Sequence, residues 1–310
     1  MKKIWKYALL LAGVLAATAT VNQALRQPSC GILYRVDGGK SELYLLGSIH
    51  VGTKEMYPFG EHIQDALQKA DVLVFECDTT GQDAASATAK LMKSDVPLRQ
   101  TISEEGYAQV ERAALDLGYS MESLQGLKPW AVTSTFTLAQ AAREMDTGRR
   151  NASAYGVENM VRKQADGKNE LYLETAEAQL EIMDAFSPAL QEYLLQKACQ
   201  AVLESETGAG TEADVEYWPS WWKEGSAKAF ADSYAQSLLA ETQPELAQEY
   251  HHALMTERNQ SMAQKLHEML QSPESRTYLA TIGLMHLVLP EDSILTQLEQ
   301  MGYRIERVMP

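Results

Sequence analysis

The chain has 310 residues, 45% of them hydrophobic and 22% charged, which is enough to bury a sizeable core and too apolar for an intrinsically disordered segment. Its 42 acidic side chains outnumber 27 basic ones, a formal charge of −15, which argues against nucleic acid and anionic membrane surfaces as partners and favours a cationic ligand or a metal ion. Three cysteines, Cys30, Cys77 and Cys199, are an odd number, so at least one lacks an intramolecular partner, and they form neither a disulfide framework nor a CxxC metal site.

At the N-terminus Lys2, Lys3 and Lys6 precede an apolar run over residues 8–17, and Ala17-Thr18-Ala19 offers small residues to a signal peptidase. Residues 1–19 are therefore expected to be a signal peptide, with an uncleaved anchor over residues 8–21 as the alternative. The run is shorter than the roughly 20 apolar residues of a transmembrane helix. Gln27 and Pro28 before Cys30 do not make a lipid-attachment box. A chain starting at Thr20 keeps 24 basic and 42 acidic side chains, a formal −18. The expected location is periplasmic or secreted, with a membrane reached only through the N-terminal segment. Residues 20–29 read as a linker, and no Pro/Gly/Ser-rich stretch divides residues 30–310, which are expected to form one domain. The oligomeric state is left open.

Residues 32–36 and 42–46 are predicted strands joined by Asp37-Gly38-Gly39-Lys40, a strong hairpin signal. The second strand runs into "LYLLGSIHVG", which sets His50 three residues after Gly47. A loop with Pro58 and Gly60 leads to a helix over residues 61–69, then to a strand in "DVLVFECD" whose run of residues 72–75 is apolar on both faces. From residue 86 to 146 the pattern is helical, with Ser103 as N-cap, Gly118 as a stop, and "GLKPW" opening a second helix with Pro129 in its first turn. A helix after Gly156, a strand over residues 170–173 and a helix in "ETAEAQLEIMDAF" follow. Residues 187–270 read as mostly helix, interrupted around 207–219. Trp218, Trp221 and Trp222 are expected to pack beneath that crossover, an exposed aromatic rim to a cleft being the alternative. The closing segment is a strand in "RTYLATIG", then His286 three residues after Gly283, Pro290, a helix over residues 291–300 and a strand in "YRIERV".

The two ends thus repeat one order: strand, GxxH, loop with proline, helix, strand. The expected fold is α+β with an α/β-like core: a central mixed β-sheet from two related β-GxxH-α-β units, with a large helical insertion covering one side. In such sheets ligands bind at the carboxyl ends of the strands. Gly47 and Gly283 are expected to let the chain turn sharply there and to leave room for close approach. Two imidazoles facing one crevice suit a transition metal, which takes about three protein ligands and leaves a place for water. Glu76, closing the strand that comes next in the chain, is the expected third ligand; Asp78 shares its face as a second carboxylate. Cys77 and Cys199 read as small buried hydrophobes. His62, His251, His252 and His267 sit in helical patterns without partners and read as surface residues.

At these residues the chain also resembles the TraB/GumN family, whose relatives include the Tiki-type metalloproteases and, more distantly, the erythromycin esterase and ChaN-like folds. The resemblance spans nearly the whole chain after the leader. It rests on "LYLLGSIHVG", "ADVLVFE", "LKPW", "YGVENMVRKQADGKNELYLETAEAQL", "WWKEGSAKAF", "ERNQSMAQKL" and "IGLMHLVLPEDSILTQLEQMGYRIERV". It implies that His50, Glu76 and His286 bind a divalent transition metal, with Mn, Co, Zn or Fe all suited, and it sets Arg258 and Asn259 near the site. An arginine there suits a carboxylate or a developing oxyanion. Glu174 in "LYLET" matches a further family position. Where relatives often have Asp in "YGVD" this chain has Glu158, a departure that weakens slightly the expectation of a polar role for it. The implied activity is that of a metal-dependent hydrolase, a peptidase acting on a peptide or small molecule outside the cytoplasm. In that reading Glu76 is ligand or general base; if it is a ligand, Asp78 or Glu174 is the base. The alternative is a non-catalytic binding protein that sequesters a peptide, a haem-like cofactor or a glycan intermediate.

Overall fold

Gly38, whose φ of +109° suits glycine alone, turns β1 (Leu33–Asp37) back on β2 (Glu42–Ser48) as an antiparallel pair. The computed structural model describes residues 27–78, 88–146, 153–165, 167–204, 217–239 and 241–310. The expected signal peptide and all but the last three residues of the expected linker lie outside them. β3 (Val72–Phe75), β4 (Asn169–Tyr172), β5 (Thr277–Gly283) and β6 (Arg304–Val308) complete a six-stranded sheet in the order β4-β3-β5-β2-β1-β6. Only the pairs made by β1 are antiparallel, so the sheet is mixed and its other five strands run one way.

Helix α1 (Glu61–Lys69) joins β2 to β3, and α2 (Glu104–Leu117), α3 (Pro129–Asp146) and α4 (Val157–Gln164) lead to β4. After β4 come α5 (Ala176–Ala185), α6 (Pro188–Glu204), α7 (Trp218–Glu224), α8 (Ala227–Leu239), α9 (Pro244–His251) and α10 (Glu257–Leu270). The single turn α11 (Met285–Val288) and α12 (Ile294–Gln300) lie between β5 and β6. Several boundaries follow from caps legible in the chain. The Ser103 side chain accepts from Gly106 N–H to open α2, and Gly118, at φ +80°, closes it.

Strand alternation sends Tyr44, Leu46, Leu73 and Phe75 to one face, under Ile63 of α1, Val161 of α4 and Trp222 of α7. Leu43, Leu45, Val72 and Val74 go to the other, under Met262 and Leu266 of α10 and Leu298 of α12. Full burial of one such side chain stabilises the fold by about 1.5–3 kcal/mol, so the two apolar layers hold the sheet between helices. Trp222 is fully buried, and Trp218 and Trp221 lean on Phe230; most of the crossover expected to cover them lies outside the described residues.

The two GxxH strands, β2 and β5, pair directly, and because β5 lies between β2 and β3, Glu76 adjoins the strand of the second motif rather than that of the first. Two further expectations need correction. The helical middle is more than a cover: it supplies edge strand β4 and the face-covering α10, while α2, α3 and α6 form a separate core around Val110, Phe136, Leu195 and Cys199. The last helix starts at Ile294 rather than at residue 291, because Ser293 is its N-cap, accepting from Thr296 N–H at 3.1 Å. Among the described residues no helix is long and apolar enough to cross a membrane.

Candidate functional site

The carboxyl ends of β2, β5, β3 and β4 lie next to one another along one edge of the sheet. Hydrogen bonding continues past them: Leu284 N–H donates to Ser48 C=O at 2.8 Å, and Glu174 N–H donates to Glu76 C=O at 2.6 Å. That ladder brings His50, Glu76, Glu174 and His286 to the same end of the sheet.

Half of the site is a buried network centred on Arg258. Its Nε donates to both oxygens of Glu174 at 3.1 Å, and its Nη2 donates to Glu174 Oε2 and Glu76 Oε2, each at 2.7 Å. Its Nη1 lies 3.0 Å from His286 Nε2. Glu76 Oε1 accepts from Gly283 N–H at 2.6 Å and sits 4.0 Å from His286 Nε2. Burial pushes the Glu76 carboxyl up, but the neighbouring His286 and Arg258 and the Gly283 N–H pull it further down, to below its ordinary value. Gln179 Nε2 donates to Glu174 at 2.9 Å and completes that carboxylate's partners in the network. A π-helical segment, His252–Thr256, joins α9 to α10 and precedes Arg258 and Asn259, which fall in the first turn of α10.

Asn259 is fully buried and fixes the state of His286. Its Nδ2 donates to Asp292 C=O at 2.6 Å, so its Oδ1 is the acceptor facing His286 Nδ1 at 2.6 Å. The imidazole is therefore protonated on Nδ1, and its Nε2 presents a lone pair to Arg258 and Glu76. Burial lowers the His286 pKa to about 4, against the pull of Glu76, so the ring is neutral at physiological pH.

The other half centres on His50, whose ring is exposed while Glu158 and Ser48 beneath it are largely buried. Its Nδ1 lies 2.9 Å from Glu158 Oε1, and the Ser48 hydroxyl donates to the same oxygen. The bond to Glu158 raises the His50 pKa despite partial desolvation. Burial works to raise the Glu158 carboxyl, and the bonds from His50 and Ser48 overcome it, leaving it below its ordinary value. Glu158 stands in the first turn of α4, where the helix dipole favours a carboxylate. Val157 N–H donates to Ile49 C=O at 3.1 Å, and a Cβ on Gly156 would lie 2.5 Å from the His50 carbonyl oxygen, so this glycine is what lets the two loops cross.

Gly47 and Gly283 are absent from the positive-φ residues, so a sharp turn is not why glycine stands there. Space is the reason. A Cβ on Gly283 would lie 2.8 Å from Glu76 Oε1, and one on Gly47 would lie 2.3 Å from Leu284 Cδ1. The Gly47 carbonyl also accepts from Trp222 Nε1 at 2.8 Å, which ties the tryptophan cluster to the first motif.

Of the residues expected at the site, Glu76, Glu174, Arg258, Asn259 and His286 meet in one network, Gly283 lines it, and Gly47 and His50 lie on the next strand end. Asp78 is half-buried near Tyr172. Glu158 and Ser48 were missed; the acid that the family keeps after "YGV" was the available signal, and its longer side chain here reaches His50. Asp292, whose carbonyl orients Asn259, carries no sequence signal. Three histidines read as surface residues have partners: His62 contacts Cys30 C=O, His251 the Tyr234 hydroxyl and His267 the Tyr303 hydroxyl. Exposed His252 faces Glu257. All three cysteines are free thiols; Cys199 is buried as expected, whereas Cys77 lies beyond the strand end and is half-buried.

A divalent ion suits this donor set in chemistry and charge. Nε2 of His286 is an aligned lone pair held by a buried partner, the arrangement usual behind a metal-bound imidazole. Glu76, Glu158 and Glu174 outnumber the cationic partners Arg258 and His50, so the site keeps an excess of negative charge that favours a cation. Convergence is incomplete: among the described residues no three His, Cys, Asp or Glu side chains close on one point, since His50 is turned to Glu158 and Arg258 stands against His286.

The model of the TraB/PrgY/gumN family matches residues 32–307. The protein YbaP of Escherichia coli K12, itself described as uncharacterized, is 25% identical over 147 residues, 47% of this chain and 53% of its own length. YbaP of Shigella flexneri matches to the same extent. The chain thus aligns with about half the length of these curated relatives. No solved structure matches.

Proposed function

Because the chain belongs to the TraB/PrgY/gumN family, we propose that its strand-end cluster is the site of a metal-dependent hydrolase, a peptidase acting outside the cytoplasm. The residues that would hold the divalent transition metal are His286, Glu76 and His50. One observation carries this reading: His286 is kept neutral by burial and protonated on Nδ1 by its bond to Asn259, which leaves its Nε2 lone pair 4.0 Å from Glu76 Oε1. A purely structural buried histidine has no need of that orientation toward a carboxylate at a strand end.

Bound there, a divalent ion supplies Lewis acidity toward a scissile carbonyl and a lowered pKa for its water. The protein's own residues do the rest. Asn259 fixes the His286 tautomer; Gly283 N–H and Arg258 keep Glu76 ionised; Ser48 and Glu158 orient His50. Glu174, engaged by Arg258 and Gln179, serves as the anchor of the guanidinium rather than as a general base. Arg258 in turn is the donor suited to a developing oxyanion.

The test is metal content followed by hydrolysis. Purified chain takes up about one transition-metal ion, folded His50→Ala and His286→Ala variants lose it, and a peptide library is cleaved by the loaded parent but not by Glu76→Gln. The observation that Arg258 stands on the His286 lone pair favours a second reading, a non-catalytic binding protein for an organic ligand. Ligand capture that survives Glu76→Gln, with no cleavage, would support that reading. No ion uptake at millimolar metal would sink the metallohydrolase.

A further inference from the structure

We propose that Arg258 is a tethered competitor of the metal ion: its Nη1 arm and a metal exclude each other on His286 Nε2, while its other arm stays on Glu174. The inference rests on the metal-dependent reading above. Nδ1 of His286 is committed to Asn259 Oδ1, because Asn259 spends its own donor on Asp292 C=O. Nε2 therefore has one lone pair, and the Nη1 hydrogen of Arg258 at 3.0 Å takes it. One lone pair cannot serve a hydrogen and a metal ion together.

The anchor explains why displacement need not expel the guanidinium. Nε and Nη2 hold Glu174 by three contacts of 2.7–3.1 Å, a forked grip that does not involve Nη1. Besides His286, the partner of Nη1 is the Leu254 carbonyl in the π-helical segment, at 3.5 Å. A pivot about the Glu174 anchor would thus free one donor arm beside Glu76, where a substrate oxyanion could use it. Arg258 would then link metal arrival to the appearance of an oxyanion donor. Its charge also opposes a second cation, so its removal should strengthen metal binding, whereas a residue that merely orients Glu76 would weaken it when removed.

The experiment titrates Co²⁺ into the full chain and follows its ligand-field absorption for parent, Arg258→Met, Arg258→Lys and His286→Ala. Arg258→Met is expected to bind at least about tenfold more tightly than parent, with Arg258→Lys between them and His286→Ala not binding. Equal or weaker binding by Arg258→Met, with His286 still required, overturns the competitor and leaves the metal site standing. No binding by any variant overturns both. Should Arg258→Met fail to fold, ¹⁵N–¹H spectra of the parent with Zn²⁺ decide. The expected result is a shifted His286 Nε2 resonance with the Arg258 Nε–H peak retained; bound Zn²⁺ with His286 Nε2 unmoved overturns the proposal.

Discussion

His286 and His50 each stand three residues beyond a glycine, on adjacent parallel strands, yet the His286 side chain is 4% exposed and that of His50 81%. Register begins the divergence. Gly47 pairs with Ile282 and Gly283 with Ser48, so the motifs are offset by one residue, and a one-residue offset exchanges faces in a pleated sheet. Beyond Gly283 the chain coils into α11 and meets the first turn of α10, where Asn259 and Arg258 receive the ring. Beyond Gly47 it enters a loop that crosses Gly156, where Glu158 receives it from the surface. Equal spacing has produced one buried imidazole held between Asn259 and Arg258 and one exposed imidazole paired with Glu158.

The largest effect that would test this difference is on stability. His286→Ala leaves Asn259 Oδ1 and Arg258 Nη1 without their partner in a buried setting and opens a cavity, a cost of about 2–4 kcal/mol. His50→Ala removes an exposed ring but leaves the largely buried Glu158 carboxylate with Ser48 as its partner, and is expected to cost less, about 1 kcal/mol. Urea unfolding of the full chain with matched slopes measures both. Equal costs would mean that the two motifs are not differently embedded. Asn259→Ala should cost about as much as His286→Ala, and the double variant much less than the sum, since both lesions break one hydrogen bond.

The glycines come next. Alanine at Gly283 drives a Cβ to 2.8 Å from Glu76 Oε1, an atom already pinned by Gly283 N–H, so the clash has no soft outlet; about 1–3 kcal/mol is expected. Alanine at Gly47 meets the end of the Leu284 side chain, which can rotate, and about 1 kcal/mol or less should suffice. Metal uptake sharpens the contrast: Gly283→Ala should weaken it by disturbing Glu76, and Gly47→Ala should leave it nearly unchanged. A larger loss of stability for Gly47→Ala would reverse the contrast between the two motifs.

What could be read from the chain follows the same division. Local signals carried well: the Asp37-Gly38-Gly39 turn, the Ser103 cap, the apolar run of β3 and the strand-end positions of Glu76, Glu174 and His286 all depend on neighbours in sequence. Strand order did not carry, because nothing local says that β5 inserts between β2 and β3 and so brings Glu76 beside the second GxxH. The Arg258–Glu174 grip and the Asn259–Asp292 link join residues 84 and 33 apart, and only the folded chain brings them together. Glu158 was set aside because a carboxylate longer by one methylene looked like a departure, whereas in the fold that length meets His50 and Ser48.

The smallest effect distinguishes the histidines by the sign of their titration. Burial holds the folded His286 pKa at about 4, beneath its unfolded value near 6.5, so the unfolded chain gains the proton first as pH falls. Stability attributable to His286 is therefore intact above about pH 6.5 and declines between there and about pH 4. The folded pKa of His50 is raised by Glu158, so its contribution is fully present below about pH 6.5 and disappears as pH rises through the raised value. With its histidine exposed to solvent screening, this pair contributes only about 0–1 kcal/mol, so the measurement belongs to NMR rather than to unfolding curves. The ring protons of His50 should titrate above the ordinary histidine value and return toward it in Glu158→Gln, while those of His286 stay flat until the acid range in both proteins. A His286 ring that titrates near neutrality would mean that Asn259 and the surrounding apolar packing do not seal it. A His50 ring indifferent to Glu158→Gln would dissolve the His50–Glu158 pair and leave the second GxxH as the only organised half of the site.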